Sequence, residues 1–399
     1  MSIPTACTAL GQIRVLDFSR VRAGPTCVRM LADFGADVIR IEPPADTDPN
    51  ATMFAEDRCG GDFQNLNRNK RSMTLNLKAP EARGLVHRLV EQADVVVENW
   101  RPDVKQRLGL DYETLSAINP RIILASISGF GQTGPYVKRP AFDQIIQGMG
   151  GLMSVTGLPG QGPVRAGMAV ADSSSGIYTA VGILVALIER AQSGRGQWVQ
   201  TSLLHALIAM MDFQIARYLN DDEVPGQAGN SHPTSSPMGL FRARDGHLNI
   251  GVSGPGMWEK FCQVMGRPQW LEDPRFTTTE LRVRHRDALD SMVQDVLSTD
   301  TVAHWVERLT GGGVPAGPVY SVPQLLEDAQ VRHARVSTSV RVEGCEKPRH
   351  YVTQPVLLSR TPAQVVTGGP MLGGSTRDIL AQLGCSAAEM DLWASKGVI

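Results

Sequence analysis

Short apolar segments of strand character alternate with amphipathic helical segments through the first third of the chain. Segments with apolar residues at helical spacing, such as RAGPTCVRMLADFGA and PEARGLVHRLVEQA, separate the apolar runs. The runs are IRVLDF (13–18), DVIRIE (37–42), SMTLNL (72–77), DVVVENW (94–100) and RIILASIS (121–128). Such alternation is typical of a parallel sheet with helices on both faces. The sequence therefore predicts an α/β fold with a doubly wound sheet.

The character of the chain changes near residues 220–236, where NDDEVPGQAGNSHPTSS is polar and rich in proline and glycine. We interpret this segment as the passage into a second domain. Beyond it, LFRARDGHLNIGV (240–252) predicts a hairpin that turns at Asp245-Gly246. Amphipathic helices follow, and VPAGPVYSV (314–322) is expected to return toward the sheet.

Charge, cysteine content and hydropathy exclude several classes of protein. A formal net charge of −1 lacks the basic excess of a nucleic-acid-binding protein. The six cysteines show no C-x-x-C pair or metal-ligand spacing, which favours reduced thiols and no metal site. The N-terminus lacks the pattern of a signal peptide, and the most apolar run, Ile177 to Ile188, is shorter than the about 20 residues that span a bilayer. We expect a soluble, cytoplasmic protein.

Three polar segments are candidates for ligand contacts, each with a plain structural alternative. FSRVRAGP (18–25) follows the first strand but lacks G-x-G-x-x-G, so it is either an anion site at a helix N-terminus or an ordinary tight turn. NRNKRS (67–72) is either a phosphate-binding group or a solvated basic loop. SGFGQTGP (128–135) is either a loop that lies against a ligand or a flexible connection.

A single carboxylate, Asp172 in ADSSSG, precedes a long apolar helical segment. Asp is a favoured helix N-cap, and in this interpretation it caps a helix that begins near Ser174. The three serines that follow also supply capping hydroxyls, so the acid is not required for this purpose. An ionised carboxylate beside free backbone N–H groups can instead act as a nucleophile on an activated acyl group.

Taken in order, these segments resemble the class III CoA-transferases, the family of formyl-CoA transferase and carnitine CoA-transferase. The similarity runs from about residue 11 to 325, and each piece alone is weakly specific. The matching pieces are LDFSRVRAGPTC, ADFGADVIRIE, NRNKRSMTLNLK, ADVVVENWRPDVKQRLGLDY, NPRIILASISGFGQTGP, ADSSSG, SGRGQWVQTSLLHA and GVPAGPV. The family is known for a Rossmann-like large domain built from both chain ends, a smaller α+β domain between them, and two subunits interlocked as linked rings.

The resemblance implies domain bounds for this chain. We expect the large CoA-binding domain at 1–205 and 326–399, a linker at 206–224 and the small domain at 225–325. A glycine-rich loop folds over the active site in some members, and GVSGPG (251–256) is the nearest candidate here.

The resemblance also implies site residues. The family nucleophile is an aspartate in D-x-x-x-G at the start of an apolar helix, which Asp172 matches. The positions that match the family's CoA contacts are Val21, Arg22, Ala23, Leu75, Lys78, Asn99, Arg107 and Lys138 or Arg139. Two positions depart from formyl-CoA transferase. Pro43 stands where that enzyme has an arginine, and Phe142 stands where a tyrosine lines its small-acid pocket, so formyl and oxalate are poor candidate substrates.

The function implied is transfer of CoA from an acyl-CoA to a free carboxylic acid, with CoA as substrate, no prosthetic group and a second copy of the chain as partner. Two alternatives stay open. The α-methylacyl-CoA racemases share the fold but use a histidine in G-H-D, and this chain reads Ala141-Phe142-Asp143 there. A non-catalytic CoA-binding protein would not need Asp172.

Overall fold

The computed structural model describes residues 6–45, 47 and 57–399. The strands within these residues are β1 (Arg14–Asp17), β2 (Asp37–Glu42), β3 (Lys70–Thr74), β4 (Val95–Glu98), β5 (Ile123–Ser128), β6 (Trp198–Ser202), β7 (Met238–Ala243), β8 (Gly246–Gly251), β9 (Ala316–Pro318), β10 (Ser337–Val340) and β11 (Arg349–Val352). The α-helices are α1 (Ala23–Asp33), α2 (Gly61–Asn67), α3 (Pro80–Glu91), α4 (Pro102–Leu108), α5 (Tyr112–Ile118), α6 (Asp143–Met149), α7 (Leu152–Val155), α8 (Val170–Ser193), α9 (Leu203–Met210), α10 (Phe213–Asp221), α11 (Pro255–Val264), α12 (Thr279–Arg284), α13 (Arg286–Leu297), α14 (Val302–Gly311), α15 (Val322–Glu327), α16 (Ala329–His333), α17 (Thr376–Gln382) and α18 (Ala387–Ser395).

Six strands form a parallel sheet in the order β3-β2-β1-β4-β5-β6. Leu16 lies opposite Ile39 on one side and Val96 on the other, so β1 and β4 are neighbours although two strands separate them in sequence. The chain therefore winds outward in both directions from β1 and β4. In such sheets the crevice at the carboxyl ends of these two strands is the usual ligand site. The predicted doubly wound α/β fold is confirmed.

Both faces of this sheet are covered, which explains why its strands read as continuous apolar runs. Val15 points into one core with α1, α8 and α9, whereas its neighbour Leu16 points into the other core with α3, α17 and α18. The C-terminal helices thus complete a core that begins with residues near the N-terminus.

The chain divides into two compact units. The first comprises Met1–Leu152, Ala166–Asp221 and Ala334–Ile399, and the second comprises Met153–Arg165 and Asp222–His333. The second unit holds the antiparallel sheet β7-β8-β9, in which β9 pairs with β8. The expectation that residues 314–322 return to the large sheet is therefore wrong. The segment 206–224, expected as a linker, contains α10 and most of α9.

Helix α8 is longer than the apolar run within it suggested. It has 24 residues and is long and apolar enough by length and composition to cross a membrane, contrary to the expectation from residues 177–188 alone. One side of the helix packs against α1 and the sheet through Ala180, Ile183 and Ala186. We therefore interpret α8 as a core helix.

Two cysteines are paired, so the expectation of six reduced thiols is wrong for them. Cys59 and Cys345 form a disulfide across a sequence separation of 286 residues. Cys7, Cys27, Cys262 and Cys385 are free and buried.

Candidate active site

The loops that follow β1 and β4 are tied together at the carboxyl end of the sheet. Asn99 donates from Nδ2 to the carbonyl oxygen of Arg20 at 2.7 Å and accepts the Arg20 N–H at Oδ1, at 2.8 Å. Beneath this loop, the Asp17 carboxylate pairs with Lys70 Nζ at 3.0 Å, and both side chains are fully buried. The predicted contact residue Asn99 thus holds the first βα turn in place.

The first βα turn contains a strained residue. Val21 has φ of 64°, a left-handed conformation that a β-branched side chain rarely adopts. Strain of this kind is concentrated at functional sites, because the surrounding structure must maintain it. Helix α1 begins two residues later, and the guanidinium of Arg22 pairs with Asp62 at 2.7 Å.

Asp172 lies in the first turn of α8, not at its N-cap. The helix begins at Val170 and its N-cap position is Ala169, which supplies no side-chain hydrogen bond. Asp143 performs this role from another segment, because its Oδ1 accepts the N–H of Ala171 at 2.8 Å and that of Asp172 at 3.3 Å. The interpretation of Asp172 as a cap for a helix beginning near Ser174 is therefore wrong.

The serines after Asp172 do not cap the helix either. Ser174 and Ser175 donate their hydroxyls to the carbonyl oxygens of Ala171 and Asp172. Within the described residues, the carboxylate of Asp172 accepts no hydrogen bond. It is left available for chemistry.

The surroundings of Asp172 shift its protonation. Burial and the neighbouring Asp143 carboxylate raise the pKa of Asp172 from 3.8 to about 6, and the positive charge of Arg22 opposes this shift. The side chain remains ionised at neutral pH and is more basic than an ordinary carboxylate. Arg22, predicted as a CoA contact, thus acts on the predicted nucleophile.

The glycine of the D-x-x-x-G pattern has a packing reason. A Cβ atom at Gly176 would lie 2.6 Å from the carbonyl oxygen of Ala23 and 3.0 Å from the side chain of Thr26. Only glycine lets α8 approach the start of α1 this closely. Because Gly176 lies one helical turn after Asp172, this contact fixes the acid beside the first βα turn.

A cavity of about 420 Å³ opens at the carboxyl ends of β1 and β2. It brings together three of the predicted CoA contacts, Leu75, Lys78 and Arg107, along with Pro43. The other lining residues are Phe18, Arg20, Ile41, Glu42, Thr47, Asn76, Leu77, Trp100, Val104 and Leu108. Arg20 belongs to the candidate segment 18–25 but was not singled out within it. Sequence reasoning missed Trp100, although it follows the apolar strand β4 closely.

The cavity combines an aromatic wall with positive charge. The rings of Phe18 and Trp100 are 5.6 Å apart, and the side chain of Arg107 is 70% exposed. Among the lining residues that the structure describes, the buried acid is Glu42, which is paired with Arg40 and Arg58 at 2.9 Å each. Burial raises the pKa of Glu42, but these two arginines and the Ser72 hydroxyl together lower it by more. The net shift of the Glu42 pKa is therefore downward.

The remaining predicted residues lie elsewhere. Lys138 and Arg139 are exposed in the loop before α6, where Arg139 stacks 3.7 Å from the ring centroid of Tyr136. Phe142 is 60% exposed and immediately precedes Asp143. The segment 251–256, predicted as a lid, joins β8 to α11 in the second unit. Within the described residues, no three His, Cys, Asp or Glu side chains lie together so as to hold a metal ion.

Comparison with known proteins identifies the family of this site. The sequence profile of CoA-transferase family III matches residues 10–376. The chain is 38% identical over 395 residues to succinate–glutarate CoA-transferase of Agrobacterium fabrum, covering 96% of this chain and 97% of that protein. It is 35% identical to succinyl-CoA–D-citramalate CoA-transferase of Chloroflexus aurantiacus, covering 98% of each.

A solved structure gives the same result. The crystal structure of a CAIB/BAIF family protein from Brucella suis superimposes with a TM-score of 0.80 at 33% identity, covering 94% of this chain and all of that one. The resemblance read from the sequence is confirmed. The chain belongs to CoA-transferase family III and is a CoA-transferase.

Proposed function

We propose that this enzyme transfers CoA from an acyl-CoA to a free carboxylic acid through covalent intermediates on Asp172. The observation that carries this proposal is the start of α8, where Asp143 accepts the helix N–H groups and the Asp172 carboxylate is left unbonded beside Arg22. A carboxylate with a pKa of about 6 is ionised at neutral pH and is a better nucleophile than an ordinary one.

In the first half-reaction, an Asp172 oxygen attacks the thioester carbonyl carbon. The carbon–sulfur bond breaks, which gives an acyl-aspartyl anhydride and CoA thiolate. The thiolate then attacks the Asp172 carbonyl carbon and forms an aspartyl-CoA thioester. The donor acid departs as a carboxylate that carries one oxygen from Asp172.

The second half-reaction repeats these steps in reverse. An acceptor carboxylate attacks the aspartyl-CoA thioester, and CoA thiolate leaves. The thiolate then attacks the acceptor's acyl carbon, which releases the new acyl-CoA and returns Asp172 with one oxygen from the acceptor. One thioester replaces another, so the exchange needs no ATP.

Each step passes through a tetrahedral oxyanion, for which the start of α1 offers donors. The N–H groups of Ala23 and Gly24 are in the first turn, where no intrahelical carbonyl accepts them. One backbone donor at an oxyanion typically contributes about 3–4 kcal/mol to transition-state stabilisation. We assign this role to the first βα turn that Val21 distorts.

We assign the cavity beside this turn to the nucleotide portion of CoA. Trp100 and Leu75 offer an apolar surface for adenine, and Lys78 and Arg107 offer positive charge for phosphate oxygens. Arg20 lines this cavity and Arg22 acts on Asp172. The same five-residue loop, 18–22, thus contributes to the CoA cavity and to the surroundings of the nucleophile.

We propose a dicarboxylic acyl chemistry, with succinyl-CoA as donor. The relatives from Agrobacterium fabrum and Chloroflexus aurantiacus are named for succinate, glutarate and D-citramalate. The apolar, exposed Phe142 beside Asp143 suits an acid larger than formate. We also propose that two copies of the chain associate, since α8 presents an exposed apolar face.

The experiment that tests the mechanism measures whether an oxygen atom of the acceptor carboxylate is transferred to Asp172. The enzyme is incubated with succinyl-CoA and glutarate labelled with oxygen-18 in both carboxylates. We expect the peptide that contains Asp172 to gain about 2 Da per exchanged oxygen, because the acceptor's oxygen is left on the nucleophile. Formation of glutaryl-CoA with no label in that peptide would overturn the covalent role of Asp172. Deuterium wash-in at the acyl α-carbon without an acceptor acid would favour an isomerase instead.

A further inference from the structure

Asp143 is a buried carboxylate to which neither the sequence nor the family comparison gave a task. It is the first residue of α6, a seven-residue helix, and is only 7% exposed. Its Oδ1 accepts the N–H groups of Ala171 and Asp172, and its Oδ2 accepts Nε2 of Gln147 at 2.6 Å. One side chain thus connects α6 to the first turn of α8, 29 residues farther along the chain.

The orientation of Gln147 is fixed by the segment that leads into α8. Its Nε2 also donates to the carbonyl oxygen of Met168 at 3.0 Å, and its Oε1 accepts the N–H of Ala166 at 2.8 Å. Gln147 cannot rotate its amide without losing both bonds. Position 143 must therefore present one acceptor to α8 and a second acceptor to Gln147, and a carboxylate does both where an amide cannot.

Asp143 also determines what the Asp172 side chain does. Aspartate in the first turn of a helix ordinarily bonds the free N–H groups there, which would lower its basicity and occupy its oxygens. Here those N–H groups are already taken. The Asp143 carboxylate lies close enough to act electrostatically on Asp172, and Arg22, at the N-cap of α1, is the opposing charge.

We propose that Asp143 is a positioning residue, which caps α8 in place of Asp172 and thereby holds the Asp172 carboxylate unbonded and oriented for attack. This inference rests on the proposed function of Asp172. Asp143 itself touches no reacting atom in this scheme.

The test uses the full-length Asp143→Asn variant, with Asp378→Asn as the matched control, an exposed aspartate in the first turn of α17. We expect Asp143→Asn to lower kcat by about 10- to 100-fold while KM for succinyl-CoA changes less than about threefold, because orientation and not binding is lost. The variant Asp143→Glu, which keeps both acceptors, should recover part of that loss. The control should retain wild-type kinetics.

A second readout does not depend on turnover. Carbon-13 NMR of labelled aspartate, with the Asp172 signal assigned by its absence in Asp172→Asn, reports the titration of that carboxyl in each variant. We expect the Asp172 midpoint to fall below about 6 in Asp143→Asn, because the Asp143 charge is removed, whereas the burial that contributes most of the shift remains. A fall in kcat with an unmoved midpoint, or a kcat within about twofold of wild type, would overturn the inference.

The oxygen-18 experiment and the NMR titration together separate this inference from the proposed function. Absence of oxygen-18 in wild-type Asp172 would reject the covalent mechanism, whereas the NMR midpoint would still show whether Asp143 controls that carboxyl. Label in wild-type Asp172 together with an unmoved midpoint would reject the role of Asp143 alone.

Discussion

At the scale of single residues, the fold disfavours the charge on Asp172 that the proposed chemistry requires. Burial and the Asp143 carboxylate raise the pKa of Asp172 to about 6, so the side chain is ionised at neutral pH against the preference of its surroundings. A shifted pKa of this kind is common among catalytic groups. It implies that the ionised Asp172 carboxylate destabilises the folded chain.

Replacement of Asp172 with asparagine should therefore abolish transfer and raise the melting temperature. The folded-state pKa lies above the unfolded value, so the ionised carboxylate is disfavoured only in the folded chain, and this penalty is present above about pH 6. It fades as the pH falls from about 6 to below 3.8, where the carboxyl is protonated in folded and unfolded chains alike. Calorimetry at about pH 7.5 and pH 4 checks the sign. A melting temperature below wild type at the higher pH would contradict it.

Substitution of Arg107 tests the cavity. We expect Arg107→Ala to raise KM for acyl-CoA by about tenfold with little change in kcat, because a phosphate contact binds ground state and transition state alike. The effect should shrink at high salt, since the side chain is 70% exposed. Steady-state kinetics at two ionic strengths measures both trends. Arg195→Ala, a change at an exposed arginine outside the cavity, is the control, and an equal KM increase there would contradict the assignment.

At the scale of elements, the sequence predicted those structures that local patterns determine. The strand β4 is predictable because its three valines are buried between the helices on the two faces of the sheet, which makes the strand a continuous apolar run. The start of α8 was placed four residues late because its cap comes from Asp143, and no local pattern announces a cap supplied from 29 residues away. Ser174 and Ser175, whose hydroxyls could also cap a helix, donate to carbonyl oxygens instead.

The contact between α1 and α8 yields a prediction with an internal control. Gly176→Ala places a Cβ 2.6 Å from the Ala23 carbonyl oxygen, so the helices must separate. We expect a loss of about 1–3 kcal/mol in the free energy of unfolding and a lower kcat. The control, Gly84→Ala in α3, adds the same methyl group where no other atom lies within 4 Å of it. Because alanine favours a helix over glycine, this control should stabilise the chain by about 0.5–1 kcal/mol. Urea unfolding of both variants measures the contrast, and equal effects would contradict the packing argument.

At the scale of the whole molecule, the site depends on strand order, which sequence patterns do not specify residue by residue. Arg20 and Trp100 line one cavity only because β1 and β4 are adjacent in the sheet. The family resemblance supplied Leu75, Lys78 and Arg107 but passed over these two. The disulfide between Cys59 and Cys345 was missed for the same reason, since the intervening chain must fold before the two thiols meet.

The exposed side of α8 leads to a prediction about assembly. Ile177, Val181, Val185 and Ile188 recur at helical spacing along one face and are 47%, 51%, 58% and 66% exposed. An apolar stripe of this length on a central helix indicates a partner surface, and a second copy of the chain is the partner that we propose.

Light scattering of the wild type should give twice the chain mass of 43.2 kDa. Val185→Glu should give the single mass, because association would bury the new carboxylate. The control Leu392→Glu changes a residue of similar exposure on α18 and should leave the dimer intact. A monomeric wild type, or a Val185→Glu protein that stays dimeric, would contradict an interface on this face.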